Sequence, residues 1–162
     1  GARASEFCAL NCGDVDMKTG QVQIAVGKNR KGRVVFLGAK ARVALSRYLR
    51  QRDDVTPDAP LWVRKTLDHR LDIVRMTREN LHESVRRVGE RAQVEHCHPH
   101  TFRRSFALWS LRSGMSIYAL RQLMGHGDLQ ILQRYLALVE QDLAQAHAQH
   151  GPVDSLMKGS RR

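Results

Sequence analysis

Apolar and polar positions change period several times along the chain, and each change predicts an element. Residues 3–11 have Phe7 and Leu10 three apart and read as a helix or its end, closed by the turn-rich "NCGDVD". "QVQIAV" (21–26) alternates polar and apolar residues, "GKNRKG" turns, and "RVVFL" (33–37) is β-branched and aromatic, so these segments predict a β-hairpin. Val43, Leu45 and Leu49 predict a helix over 39–51, "DDVTPDAP" (53–60) predicts a loop, and "LWV" (61–63) is a candidate third strand. Residues 64–75 show no period that selects an element.

Beyond residue 75 the pattern turns helical. Thr77 predicts an N-cap for a helix with Leu81, Val85 and Val88 on one face. Residues 100–114 predict a helix closed by Gly114, and 116–127 another, with Ser116 as cap and Gly125 at its end. "DLQILQRYLAL" begins with Asp128 as cap, and "EQDLAQAHAQHG" follows, stopped by Gly151 and Pro152. There is no internal repeat. The pattern predicts an α+β chain, mostly α-helical, with a small antiparallel sheet made of the hairpin and the candidate third strand.

Charge changes this picture more than composition does. The chain has 162 residues, enough for one compact domain, and an ordinary apolar share of 42%. Its 27 Lys and Arg against 16 Asp and Glu leave +11 at pH 7. A small domain that basic is expected to meet a polyanion, nucleic acid by default, although charge that serves only solubility gives the same sum. Cys8, Cys12 and Cys97 cannot all pair with one another and form no CxxC motif, so free thiols in a reducing compartment are expected. No apolar run reaches the length of a membrane span.

The candidate chemistry gathers in a few short segments. In "HPHTFRRSFALW" His100 and Arg103 stand at i and i+3, neighbours on one helix face, and Pro99 sets the helix entry. A guanidinium fork suits two phosphate oxygens. His126 follows Gly125 in "LMGHG", and Tyr135 comes nine residues later in "LQRYLAL". Arg3 lies in "GARASE" and Lys28 in the basic hairpin turn, where Arg30, Lys31 and Arg33 are candidate phosphate contacts. Each element alone has a bland reading as a solvated charge or a core side chain. "HCHPH" (96–100) invites a metal reading, but a zinc site usually draws ligands from two separated segments and no second cluster is evident. There is no acidic cluster suited to Mg²⁺ and no P-loop, so neither metal nor cofactor is expected.

Taken in order, Arg3, Lys28, the His100–Arg103 pair, the Gly125–His126 corner and Tyr135 resemble the tyrosine recombinase (phage integrase) family over almost the whole chain. "PHTFRRSFA" is similar to that family's "PHxxRHxFA" box, and "LMGHGDLQILQRY" to its "LLGHxxxxxTxxY" box. The resemblance implies the family's catalytic-domain fold and assigns roles. Tyr135 would be the nucleophile, forming a 3′-phosphotyrosyl link. Arg3 and Arg103 would clamp the non-bridging oxygens, and Lys28 would protonate the leaving 5′ oxygen. His100 would assist proton transfer, and His126 would hydrogen-bond the phosphate. The chemistry asks for these groups: two arginines neutralise charge without a metal, and tyrosine, with a free pKa of ~10, needs help to ionise.

Other implications follow from the same resemblance. Arg104 stands where the family often has histidine and is expected to contact phosphate without a catalytic role. The catalytic domain is expected to cover residues 1–151, truncated at its N-terminus and without the core-binding domain, so that the chain alone binds DNA weakly. Residues 152–162 would be a tail in which Val153, Leu156 and Met157 dock on a neighbouring protomer. The expected partners are double-stranded DNA and three further copies in a synaptic homotetramer, with a monomer as the isolated state and no membrane. The expected setting is the cytoplasm of a bacterial cell or phage-infected host, on DNA. The implied function is site-specific recombination that integrates or excises a phage or mobile element. A type IB topoisomerase-like strand transferase and a catalytically silent DNA-binding module are the alternatives.

Overall fold

The computed structural model describes residues 1–26, 30–65, 71–125 and 129–150. The chain divides into two compact units, Gly1–Arg104 and Ser105–Arg162. The first begins with α1 (Ala4–Ala9) and a 3-10 turn at Cys12–Asp14. Strands β1 (Gln21–Val26) and β2 (Arg30–Phe36) pair antiparallel, with Gln21 opposite Phe36 and Ile24 opposite Arg33. Then come α2 (Ala39–Leu49), β3 (Val63–Lys65), β4 (Leu71–Arg75) and α3 (Arg78–Arg91). Helix α4 (Pro99–Arg112) carries the chain across the unit boundary, and the second unit adds α5 (Ile117–Met124) and α6 (Leu129–His150).

The alternation in β1 does what its period predicts. Val22 and Ile24 turn inward and join Leu10, Val15, Leu45 and Leu61 in the core of the first unit, while Gln21 and Gln23 stay exposed. Burying an isoleucine of this kind contributes about 1.5–3 kcal/mol. Two half-buried clamps fix how α1 lies on this core. Phe7 stacks on Trp62 with ring centroids 4.6 Å apart. Arg75 reaches from β4 to donate to the carbonyl oxygens of Cys8 and Leu10, which satisfies acceptors at the end of α1. A third clamp holds the α2–β3 connection. Arg52, its side chain wholly buried, pairs with Asp54 at 2.6 Å and donates to the carbonyls of Pro60 and Leu61. A buried guanidinium is tolerable only when paired and hydrogen-bonded in this way.

In the second unit α4, α5 and α6 contribute Ala107, Leu111, Leu120, Met124 and Tyr135 to one buried apolar cluster. Ser116 caps α5 by accepting from the Ala119 N–H, as its position before the apolar period predicts. Gly114 and Gly125 end α4 and α5 with φ of +87° and +78°, backbone that side chains other than glycine rarely adopt.

Three expectations are refined. The strand expected at 61–63 runs from Val63 to Lys65, because Leu61 is taken into the core and its N–H bonds the Leu10 carbonyl. Its partner is β4, within the 64–75 stretch that lacks a period, so the strand forms a second two-stranded ribbon and is not a third strand of the hairpin sheet. The two helical patterns after residue 128 form one helix of 22 residues, with neither glycine nor proline inside it to stop it. The cap expected at Asp128 and the tail expected at 152–162 lie outside the described residues.

Candidate active site

The first unit brings Arg103 against the backbone that leads into Arg3. Arg3 ends the extended approach to α1 and is its N-cap residue, with its side chain 44% exposed. Arg103 lies on α4, and its Nη1 donates to the carbonyl oxygen of Gly1 at 2.6 Å, two residues ahead of Arg3. The Arg103 guanidinium held against this stretch of backbone, with Arg3 two residues on, gives the corner the positive charge that a phosphate needs.

The start of α4 is built to present His100. His98 is the residue before Pro99, and its ring Nδ1 accepts from the Thr101 N–H at 3.3 Å, doing the work of an N-cap side chain. Thr101 Oγ1 donates back to the carbonyl of His96 at 3.1 Å, closing a turn in which His96 has φ +53°. His100 is exposed, its ring stacked 6.3 Å from that of His98, and it shares a helix face with Arg103. Upstream, α3 lies so close to this turn that a methyl group at Gly89 would overlap the Cys97 side chain.

Glu6 is the residue that sequence reasoning missed. Its carboxylate accepts from the Arg3 N–H at 2.7 Å and from Arg3 Nη1 at 3.0 Å. It also takes both ends of the Arg33 fork, at 2.9 and 2.8 Å. Burial pushes this carboxyl up, but the Arg33 hydrogen bonds, the Arg3 N–H and the Arg33 charge outweigh that and hold it at about 2. The signal available in the sequence was the i, i+3 spacing of Arg3 and Glu6 in "ARASE".

The remaining candidates fall in several places. Arg33, expected as a phosphate contact, engages Glu6 instead of holding its fork out to solvent, with its side chain 12% exposed. Arg104 is exposed on α4. Arg30 and Lys31 lie at the start of β2. Lys28 and His126 lie outside the described residues. Tyr135 belongs to the second unit, on α6, where it is 6% exposed among Ala107, Leu111, Leu120 and Met124. Among the described residues no group of three or more His, Cys, Asp or Glu converges to hold a metal ion, and no helix is long and apolar enough to cross a membrane.

The chain matches the phage integrase family over residues 1–142. It is 35% identical over 153 residues to tyrosine recombinase XerC of Azotobacter vinelandii, covering 94% of this chain and 49% of that protein. It is 32% identical over 161 residues to tyrosine recombinase XerC of Pseudomonas putida strain W619, covering 99% and 52%. Among solved structures, that of XerA recombinase superposes with a TM-score of 0.74 at 29% identity, over 93% of this chain and 52% of that one. XerH site-specific recombinase bound to a palindromic difH substrate has the same fold, with a TM-score of 0.71 at 24% identity over 91% and 41%. The chain thus spans about half the length of the curated relatives it matches.

Proposed function

The chain belongs to the phage integrase family, and from that premise we propose that it is the DNA-cleaving and DNA-joining part of a tyrosine recombinase. The observation that carries this reading is the cationic corner where Arg103 docks on Gly1 beside Arg3. Double-stranded DNA is the substrate. Arg3 and Arg103 hold the non-bridging oxygens of the scissile phosphate and stabilise the five-coordinate transition state. The Tyr135 oxygen attacks phosphorus, its proton passing toward His100. The bond to the 5′ oxygen breaks, and Lys28 protonates that oxygen as it leaves while His126 hydrogen-bonds the phosphate. The product is a 3′-phosphotyrosine and a free 5′-hydroxyl. Attack by a 5′-hydroxyl from a partner strand reverses the step and releases the tyrosine, so no external energy source is consumed. Tyr135 is buried in the state described here, so the reading requires α6 to turn it out before attack.

Exchange between two DNA sites needs four such active sites, which gives a synaptic homotetramer. Residues 1–151 supply the chemistry and 152–162 the contact to the neighbouring copy. The XerC relatives favour a Xer-type exchange between two sites over the integration or excision of a phage or mobile element that the sequence suggests. The test is covalent trapping with the protein at its full length. Duplexes are selected for binding from a randomised pool, nicked near the bound site, incubated with the protein, and resolved under denaturing conditions. A protein–DNA adduct that is absent from Tyr135→Phe supports the reading. DNA binding with no adduct overturns it in favour of a silent binding module. Relaxation of supercoiled plasmid without site preference would place the chemistry in a topoisomerase.

A further inference from the structure

The hydrogen bonds around Thr101 assign the protonation state of a histidine that the proposed chemistry does not use. Thr101 has one hydroxyl proton, and it goes to the carbonyl oxygen of His96 at 3.1 Å. The Thr101 N–H points at Nδ1 of His98 at 3.3 Å, so that nitrogen is the acceptor and carries no proton. The other ring nitrogen, Nε2, lies 3.1 Å from Thr101 Oγ1, which has no further proton to give but has lone pairs free. Nε2 therefore bears the ring proton and donates it to Oγ1. The circuit closes only with a neutral His98 imidazole in that one tautomer.

A second proton on the ring breaks this circuit. An Nδ1–H would face the Thr101 N–H, donor against donor. The Thr101 N–H has the His98 carbonyl to fall back on, at 2.9 Å, but the ring has to turn away. The charge would also stand at the positive end of α4, where a cation is unfavourable. The ring that would turn is the one stacked on His100, with centroids 6.3 Å apart and planes 14° from parallel. From α3, Arg78, Glu79, His82, Glu83 and Arg86 face His98 across a hollow that Cys97 also lines. Glu83 is taken up by Arg86 and Arg87. Among the described residues the ring's hydrogen bonds all go to Thr101, and no carboxylate bonds it to steady an imidazolium.

We propose that His98 is a positioning residue that seats His100 at the head of α4 only while its own ring is neutral. Protonation of His98 opens the cap and turns the stacked ring aside, and His100 loses its place. Misplacement of about 1 Å in such a group costs up to ~100-fold in rate. The proposal rests on the recombinase reading above, in which His100 receives the Tyr135 proton and so must start neutral. Cleavage then requires two neutral histidines instead of one. On the acid side each required deprotonation costs about 10-fold in rate per pH unit, so two together cost about 100-fold. His98 itself touches no substrate.

The experiment measures single-turnover adduct formation at saturating nicked duplex across about pH 5 to 8, where imidazoles titrate. It uses the full-length protein and its His98→Asn, His98→Ser and His82→Gln variants. Melting temperatures are taken at each pH, and the reaction is run well below them. Asparagine and serine cap a helix without titrating. Each rate is referred to the same protein's rate at about pH 8. The parent's acid limb is expected to steepen toward about 100-fold per pH unit, and that of His98→Asn to stay near about 10-fold. His98→Ser should match His98→Asn, and it decides the matter if His98→Asn does not fold. His82→Gln removes the other imidazole facing the hollow and should keep the parent's slope. Equal slopes in the parent and His98→Asn overturn the proposal, as does a limb that flattens in His82→Gln in place of His98→Asn. A change confined to melting temperature also overturns it, by leaving His98 a plain helix cap. A parent that forms no adduct at any pH on its selected duplex overturns the recombinase reading itself. That outcome is distinct from an active parent whose slope the His98 variants leave unchanged.

Discussion

Arg103 donates through Nη1 to the carbonyl oxygen of Gly1 at 2.6 Å, so a helix residue late in the first unit anchors the stretch that leads into Arg3. One guanidinium can make that bond with one nitrogen and still present others to an anion, because its five N–H donors lie in a rigid fork. Lysine has one nitrogen for both tasks and no planar fork to match two phosphate oxygens. Arg103→Lys is therefore expected to keep DNA affinity within a few-fold. Its covalent cleavage rate should fall on the order of 10²–10³-fold, as for loss of a transition-state donor. Adduct yield against time, measured beside equilibrium binding, checks this. A rate unchanged by the lysine would remove Arg103 from the chemistry.

The Glu6 carboxyl, held at about 2 against an ordinary value of 4.5, makes part of the stability depend on acid. A carboxyl depressed by folding contributes stability that is present above its unfolded value and is lost as pH falls toward its folded one. The parent should thus be more stable than Glu6→Gln at pH 7, and the gap should shrink as pH drops from about 4.5 toward 2. Melting temperatures of both proteins across that window test it. A gap that stays constant with pH would mean that the ion pairs to Arg3 and Arg33 do not stabilise the fold.

Local signals were readable in the sequence, and long-range partners were not. Thr77 and Ser116 announce their helices because a side-chain cap acts within three residues, and both accept from the expected backbone N–H groups. The hairpin was legible because alternation and a glycine-bounded turn lie next to each other. Strand β4 was not, since a five-residue strand in a two-stranded ribbon gives too short a period to stand out. The Glu6–Arg33 pair spans 27 residues, and nothing local to either residue says that β2 passes α1. That Arg103 reaches the backbone leading into Arg3 had no local signal in the sequence. His100 was placed correctly at the head of a helix by Pro99, but the cap supplied by His98 required seeing the turn.

The close approach at Gly89 links helix packing to the site. A β-carbon there would meet the Cys97 side chain and lie 3.1 Å from the Val94 carbonyl, and Cys97 stands three residues before His100. Gly89→Ala would ordinarily stabilise a helix interior by about 1 kcal/mol. Here overpacking of roughly 1–3 kcal/mol is expected to outweigh that gain and to shift the start of α4. The variant should melt lower than the parent and cleave more slowly. Gly89→Ala combined with Cys97→Gly, which removes the opposing β-carbon, should recover part of both losses. A melting point above that of the parent would show that the turn yields without cost.

Tyr135 and Tyr118 give the sharpest contrast for testing whether the proposed nucleophile must be released. Tyr118 is 76% exposed, whereas Tyr135 is 6% exposed and packed among Leu111, Leu120 and Met124. Tyr135→Phe keeps the ring, so its stability should stay within about 0.5 kcal/mol of the parent while adduct formation is abolished. Tyr135→Ala empties the site and should cost about 3–5 kcal/mol, as large-to-small changes of an aromatic core residue do. Those two results together would separate the packing role of the ring from the chemical role of its hydroxyl. Nitration of exposed tyrosines, followed by mass spectrometry, then reads the motion. Without DNA, Tyr118 should be modified well before Tyr135. With the selected duplex bound, Tyr135 should either gain reactivity or be found joined to the DNA strand. Nitration of Tyr135 as fast as Tyr118 in the free protein would show that its ring is already released, and no opening of α6 would be needed before attack.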